Sequence, residues 1–436
     1  MKTFVGTIAT LLLRSSSAFV QPKTSTTTSI THDTSSTSHP IISLKSSVAG
    51  NNEIDYVNLS RRDAITSALK TAAIITGSAS IAASNPLVVN AEESTTAMTK
   101  VPTVLLGKSS LSVSRTIQGY WQLAGGHGKY NQGEAIKNMQ AHYDAGINTI
   151  DTADIYGPSE FIVGKYMKEK PQGVAPVVCT KFCCFAFLSE IDKAEVKTRI
   201  QKACERLQVE KIPLIQFFWS NYDIKRYVDV ALMLTELKEE GLIGEIGATN
   251  FDLKRLKEMK DAGVPLVSHQ VQLSCLDQRP VQSGMVDWCA ENDVSLIAFG
   301  TVGSGILSEK YLGRGPPTQE EKNTASMRMY SKTAERFGSW NLVQELLRTM
   351  DSIAGEVRSS GRCADANIAN IAQRYVLDTK SVASVLIGVR NRNHIAENTR
   401  THAFDLTQAE RDMIAAVLAK RKGPAGDVWD IERGNA

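Results

Sequence analysis

The chain has 436 residues, 42% hydrophobic and 22% charged, which suits two or three soluble domains or one large barrel with extensions. A net charge of +3 from mixed acidic and basic residues gives no reason to expect a nucleic-acid partner. Seven cysteines without repeating spacing, and no H-x-H, H-E-x-x-H or paired C-x-x-C, argue against a disulfide framework and a protein-built metal site.

In chain order, residues 1–99 read as a targeting region that is mostly unstructured. Lys2 precedes a short apolar run at 4–13 and small residues at 15–18, the layout of a secretory signal and too short for a membrane span. Ser17-Ala18-Phe19-Val20 resembles the alanine–phenylalanine cleavage motif of bipartite plastid presequences in algae with secondary plastids. Residues 23–48, rich in Ser, Thr and Lys and nearly free of acid, fit a transit segment. Ser60-Arg61-Arg62-Asp63, the mild apolar run 64–83 and Val89-Asn90-Ala91 resemble a twin-arginine export signal, which in a plastid leads to the thylakoid lumen. A membrane-associated helix or a stromal protein with a longer presequence is the alternative. The run contains Lys70 and many small residues, so no permanent membrane span is expected in the mature protein.

From residue 100 onward the texture alternates. Short apolar runs predict strands at 116–119, 149–151, 177–181, 214–218, 245–249, 268–272, 296–300 and 384–388. Helical patterns lie between them at 133–144, 195–207, 227–240, 252–262, 285–292 and 368–377. Gly146 and Gly241 stand just past two of these helices as stop signals. Eight strands alternating with helices predict an α/β fold, a (β/α)8 TIM barrel over residues 100–436. A doubly wound sheet is disfavoured, because no G-x-G-x-x-G follows the first strand. Residues 313–362 read as a long loop of the kind that walls or covers a site, with a helix at 340–353 outside the barrel, and 423–436 as an extended tail that folds back across the barrel.

The ionisable residues fall at strand ends, where parallel α/β proteins place their active sites. Asp151 closes one strand and Lys181 the next, with Tyr156 in the loop between. This segment resembles the aldo-keto reductases. So do Leu106-Gly107-Lys108, Gly119-Tyr120-Trp121-Gln122, Asp144-Ala145-Gly146-Ile147, Gly247-Ala248-Thr249-Asn250-Phe251, His269-Gln270-Val271 and Ile387-Gly388-Val389-Arg390, all in the family's order.

The resemblance implies reduction of a small aldehyde or ketone by a nicotinamide cofactor. Tyr156 would be the proton donor, with Lys181 lowering its pKa from about 10 and Asp151 orienting Lys181. Gly119, Tyr120, Thr249, Asn250 and Gln270 would hold the nicotinamide and Phe299 would stack on it. Gly300, Thr301 and Gly303 would approach the pyrophosphate. Arg390, His394 and Asn398 would take the adenosine end, favouring NADPH over NADH because guanidinium suits phosphate. Trp121, Phe218 and Trp219 would line the substrate pocket.

One departure stands out. The family's fourth catalytic residue is a histidine, and aligning Gln216, Phe217 and Trp219 puts Phe218 in its place. Losing such an oxyanion donor typically costs about 3 kcal/mol. Two readings follow: a working reductase of altered preference, or an NADP(H)-binding redox sensor or regulatory protein with little turnover. His127 is a possible substitute donor. Adjacent Cys183 and Cys184 read as wall residues rather than a redox pair.

Overall fold

In the computed structural model, which describes residues 99–434, eight parallel strands close into a barrel of order β10-β3-β4-β5-β6-β7-β8-β9. The targeting features expected in residues 1–98 lie outside the described residues. The barrel strands are β3 (Thr116–Gly119), β4 (Thr149–Asp151), β5 (Val177–Cys184), β6 (Ile212–Trp219), β7 (Ile243–Thr249), β8 (Leu266–Gln272), β9 (Ser295–Phe299) and β10 (Val382–Gly388). Each expected strand is present, several running two or three residues longer than the apolar pattern.

A hairpin precedes them, β1 (Thr103–Leu105) paired with β2 (Ser112–Ser114), which the sequence reading missed. Its Leu106 and Val113 pack with Ile117, Cys179, Leu214 and Ile297 inside the barrel. Gly107 donates its N–H to the Ser295 hydroxyl at the start of β9, so the hairpin plugs the N-terminal ends of the strands. The opposite end is left open for a site.

Helices α1 (Gln132–Asp144), α2 (Ser159–Glu169), α3 (Lys193–Leu207), α4 (Tyr227–Glu239) and α5 (Leu253–Asp261) each follow one strand. In α3 the Asp192 side chain caps the first turn, and Val196, Ile200, Ala203 and Leu207 form the buried stripe. Each such aliphatic side chain stabilises the fold by about 2 kcal/mol through burial. Short helices α6 (Arg279–Gln282) and α7 (Met285–Glu291) link β8 to β9.

Between β9 and β10 the chain has the helices expected at 340–353 and 368–377 and, in place of the expected loop before them, one helix more. It forms α8 (Ala325–Phe337), α9 (Trp340–Ser359) and α10 (Ile368–Leu377). After β10 come α11 (Ile395–Arg400) and α12 (Gln408–Leu418), and α12 joins α8, α9 and α10 around a second apolar core containing Phe337, Leu347, Ile353, Ile371 and Ile414. Helix α8 was legible: Met327, Tyr330, Ala334 and Phe337 recur at helical spacing, and Thr324 caps them. The charged residues before it masked the pattern.

The tail folds back across the barrel, as expected, and ends in a short helix. Val428 is buried with the barrel core and α13 (Asp430–Arg433) ends the described chain. Asp427 accepts from the Leu253 N–H at the start of α5, and Glu432 pairs with buried Arg279 at 2.8 Å. These anchors hold the tail across the open end.

Candidate active site

Strand alternation decides what faces inward. On β5 the inward residues are Cys179, Lys181 and Cys183, and on β6 they are Leu214, Gln216 and Phe218. Their neighbours Phe182, Phe217 and Trp219 point outward and pack under the helices. Lys181 and Gln216 are register partners, as are Cys183 and Phe218. The result is a layered interior: apolar at the plugged end, polar in the middle, aromatic toward the mouth.

The polar layer is centred on Asp151. One carboxylate oxygen receives Lys181 Nζ at 2.5 Å; the other accepts the side-chain amides of Gln216 at 2.8 Å and Gln270 at 2.7 Å. Lys181 also donates to the Thr152 carbonyl at 2.8 Å. Burial lowers the lysine's pKa, but the Asp151 charge and hydrogen bond, with Tyr156 beside them, more than offset this and hold it above the ordinary value. The ammonium sits 5.0 Å from the centre of the Tyr156 ring.

Tyr156 behaves differently from expectation. Its pKa is raised to about 12, because burial outweighs the pull of Lys181 and Asp151 partly cancels that pull. The phenol is therefore a firmly protonated donor at neutral pH. Lys181 limits the rise instead of producing a fall.

These groups open onto a cavity of about 770 Å³. Gly119, Trp121, Thr249, Asn250, Gln270, Phe299, Gly300, Thr301, His394 and Asn398 also line it. Three amide oxygens on its wall, Gln122 Oε1, Asn250 Oδ1 and Gln373 Oε1, are buried without a hydrogen-bond partner among the described residues. Orphaned acceptors of this kind call for N–H donors from a ligand. A Cβ at Gly300 would stand 2.6 Å from the Tyr330 ring, so glycine lets the backbone run close beneath that phenol. Gly303, Ser304 and Gly305 follow with φ of 56, 58 and 87°, a left-handed run in which successive amides turn the same way. Ser304 pays backbone strain there, as residues at ligand clamps often do.

Four of the expected site residues lie off this wall. Trp219 follows inward Phe218 directly, so the pleat turns it outward, where its indole donates to the Asn221 carbonyl at 2.7 Å. Tyr120 is buried with its phenol on Gln118 Oε1 at 2.9 Å. Gly303 contributes backbone behind Val302 and Ser304. Arg390 has its carbonyl fixed by Asn138 Nδ2 at 3.0 Å and its guanidinium against Gly128, away from the cavity. His394 does reach the cavity, but it pairs with Glu397 at 2.5 Å.

Phe218 packs against Phe185, ring centres 5.2 Å apart, and offers no donor. His127 does not replace the missing histidine. It bonds the Gly125 carbonyl at 2.9 Å, accepts from Ser326 N–H at 3.3 Å and is absent from the cavity wall. Cys183 lines the wall, but burial and then Asp154 push its thiol well above the ordinary range, so it stays protonated.

Sequence reasoning missed three wall residues from distant segments: Tyr330 of α8, and Trp429 and Arg433 of the tail. Trp429 meets Phe299 edge-on at 6.5 Å. Arg433 lies over the rings of Tyr222 and Phe218, at 4.2 and 5.4 Å.

A parallel eight-stranded barrel with a polar cluster at its open end places the chain among the TIM-barrel proteins. The chain belongs to the aldo/keto reductase family, whose model matches residues 116–419. It is 30% identical to the chloroplastic pyridoxal reductase of Arabidopsis thaliana, over 48% of this chain and 62% of that protein, less than two thirds of its length. It is 23% identical to the NADH-specific methylglyoxal reductase of Escherichia coli, over 73% of this chain and 97% of the enzyme. Among solved structures, a glycerol dehydrogenase from Gluconobacter oxydans superposes with a TM-score of 0.61 at 22% identity, covering 74% of this chain and 97% of that one. Among the described residues no helix is long and apolar enough to cross a membrane.

Proposed function

We propose that the protein reduces the carbonyl of a small aldehyde or ketone to an alcohol, with Tyr156 as proton donor. The observation that carries this is the buried Asp151–Lys181 pair set beneath the Tyr156 ring on the wall of one cavity. A bound nicotinamide supplies the hydride. Asn250 and Gln270 fit its carboxamide, Phe299 its ring, and Asn398 with Gln373 the adenosine end. As the substrate oxygen gains charge, Tyr156 gives up its proton, and Lys181 stabilises the phenolate that remains. Asp151, held by Gln216 and Gln270, keeps the ammonium charged and in place. Phe218 leaves the oxyanion without the family's usual second donor, which favours reactive aldehydes over unactivated ketones.

NADPH is the proposed cofactor, although Arg390 faces Gly128; apart from Lys181 and Arg433, the wall offers Lys310 and the His394 imidazole. The assembled Asp151, Tyr156 and Lys181, and oxidoreductases among the relatives, favour turnover over a purely regulatory role. The test is fluorescence titration with NADPH and NADH, then turnover on an aldehyde panel that includes pyridoxal and methylglyoxal. Micromolar NADPH binding with NADPH oxidation supports the proposal; absence of nucleotide binding sinks it.

A plastid location is also proposed. The motifs of residues 1–99 and a chloroplastic relative support it, whereas no comparison supports the thylakoid lumen. Residues 1–99 fused to a fluorescent protein are expected to direct it to plastids, and cytosolic fluorescence would oppose the reading.

A further inference from the structure

The wall around Tyr156 is largely aromatic, through Trp121, Phe185, Phe218 and Trp429. Arg433 is the exception. Its Nη2 donates to the Trp219 carbonyl at 2.8 Å, but Nε and Nη1 are buried with no hydrogen-bond partner among the described residues. The nearby acids are committed elsewhere. Asp252 pairs with Arg255 at 2.9 Å, Glu432 with Arg279 at 2.8 Å, and Asp430 accepts the Asp427 N–H at 2.7 Å.

Stacking on Tyr222 and Phe218 covers the faces of the guanidinium and leaves its edge donors bare. A guanidinium cannot shed its proton to escape this environment. A buried charge with unused donors is costly, and proteins tolerate it where a ligand completes it. Nothing in the sequence flags this residue, since it lies far along the chain from Tyr156. The anchors at Asp427, Val428 and Glu432 set its position.

We propose that Arg433 binds an acidic group of the substrate, so that this reductase selects carbonyl compounds with an apolar body and a carboxylate or phosphate terminus. Nη1, with the second N–H of Nη2 beside it at the end of the guanidinium, can meet two oxygens of such a group. The idea rests on the reductase reading for its catalytic consequence, but not for its binding consequence.

The test compares 4-carboxybenzaldehyde with methyl 4-formylbenzoate, which differ only in the charge of the terminus. The wild type is expected to favour the acid in kcat/KM. In Arg433→Met this preference ratio falls roughly a hundredfold, the loss typical of a buried charge contact. Arg433→Lys recovers part of it. A wild type indifferent to charge, or an unchanged ratio in Arg433→Met, overturns the proposal. Benzoate binding by calorimetry separates the two ideas if neither aldehyde turns over. Binding that is lost in Arg433→Met upholds the anion site while the reductase reading fails, and equal binding in both proteins overturns it. A phosphorylated aldehyde run beside its dephosphorylated form distinguishes a phosphate from a carboxylate preference.

Discussion

Tyr156 shows how a single residue's chemistry is set by competing surroundings. Burial raises its pKa to about 12, and Lys181 and Asp151 largely oppose one another around it. The rate of aldehyde reduction should therefore hold level up to about pH 10 and decline only as the phenol loses its proton toward pH 12. A pH–rate profile breaking near pH 8 would mean that Lys181 dominates after all. At Phe218 a histidine would stand against the Arg433 guanidinium and stay neutral, still able to donate. Phe218→His is expected to speed reduction of small aldehydes by tens of times to about a hundredfold. Steady-state kinetics with unchanged cofactor affinity would check it. Much of this site was legible, since Asp151, Tyr156 and Lys181 lie within one strand–loop–helix–strand unit. The error at Trp219 was avoidable, because adjacent strand residues cannot both face inward. Arg390 was not avoidable: that its guanidinium turns toward Gly128 shows only in the folded chain.

Among the elements, the eight strands were legible because each is a buried apolar run ended by polar residues. The β1–β2 hairpin was not, since three-residue strands carry too few apolar positions to show a period. The left-handed run at 303–305 can be tested by stability. Ser304→Gly removes a strained conformation and should raise unfolding free energy by roughly 1 kcal/mol in urea denaturation, less what the Ser326 hydrogen bond contributes. An unchanged or lowered midpoint would show that this bond outweighs the strain. The tail depends on Glu432, which binds Arg279. Glu432→Gln is expected to loosen it, seen as faster proteolysis after residue 423 and a weaker acid preference. Arg279 keeps its 2.7 Å pair with Asp277, so the barrel itself should survive.

For the whole molecule, the described residues hold a small apolar cluster inside the barrel, a larger core between strands and helices, and a second large core among α8, α9, α10 and α12. The second core carries Tyr330 to the cavity wall, and the tail brings Trp429 and Arg433. Such long-range placements are invisible to sequence periodicity, which reports only local faces. They are also where substrate choice is expected to reside, while the family's chemistry stays on the strands.

The most direct measurement is NADPH binding and single-turnover oxidation by Tyr156→Phe beside the wild type. The account predicts nucleotide affinity within a few-fold and an aldehyde-dependent rate lowered by about 10²–10⁴. An equal rate in both proteins would contradict it.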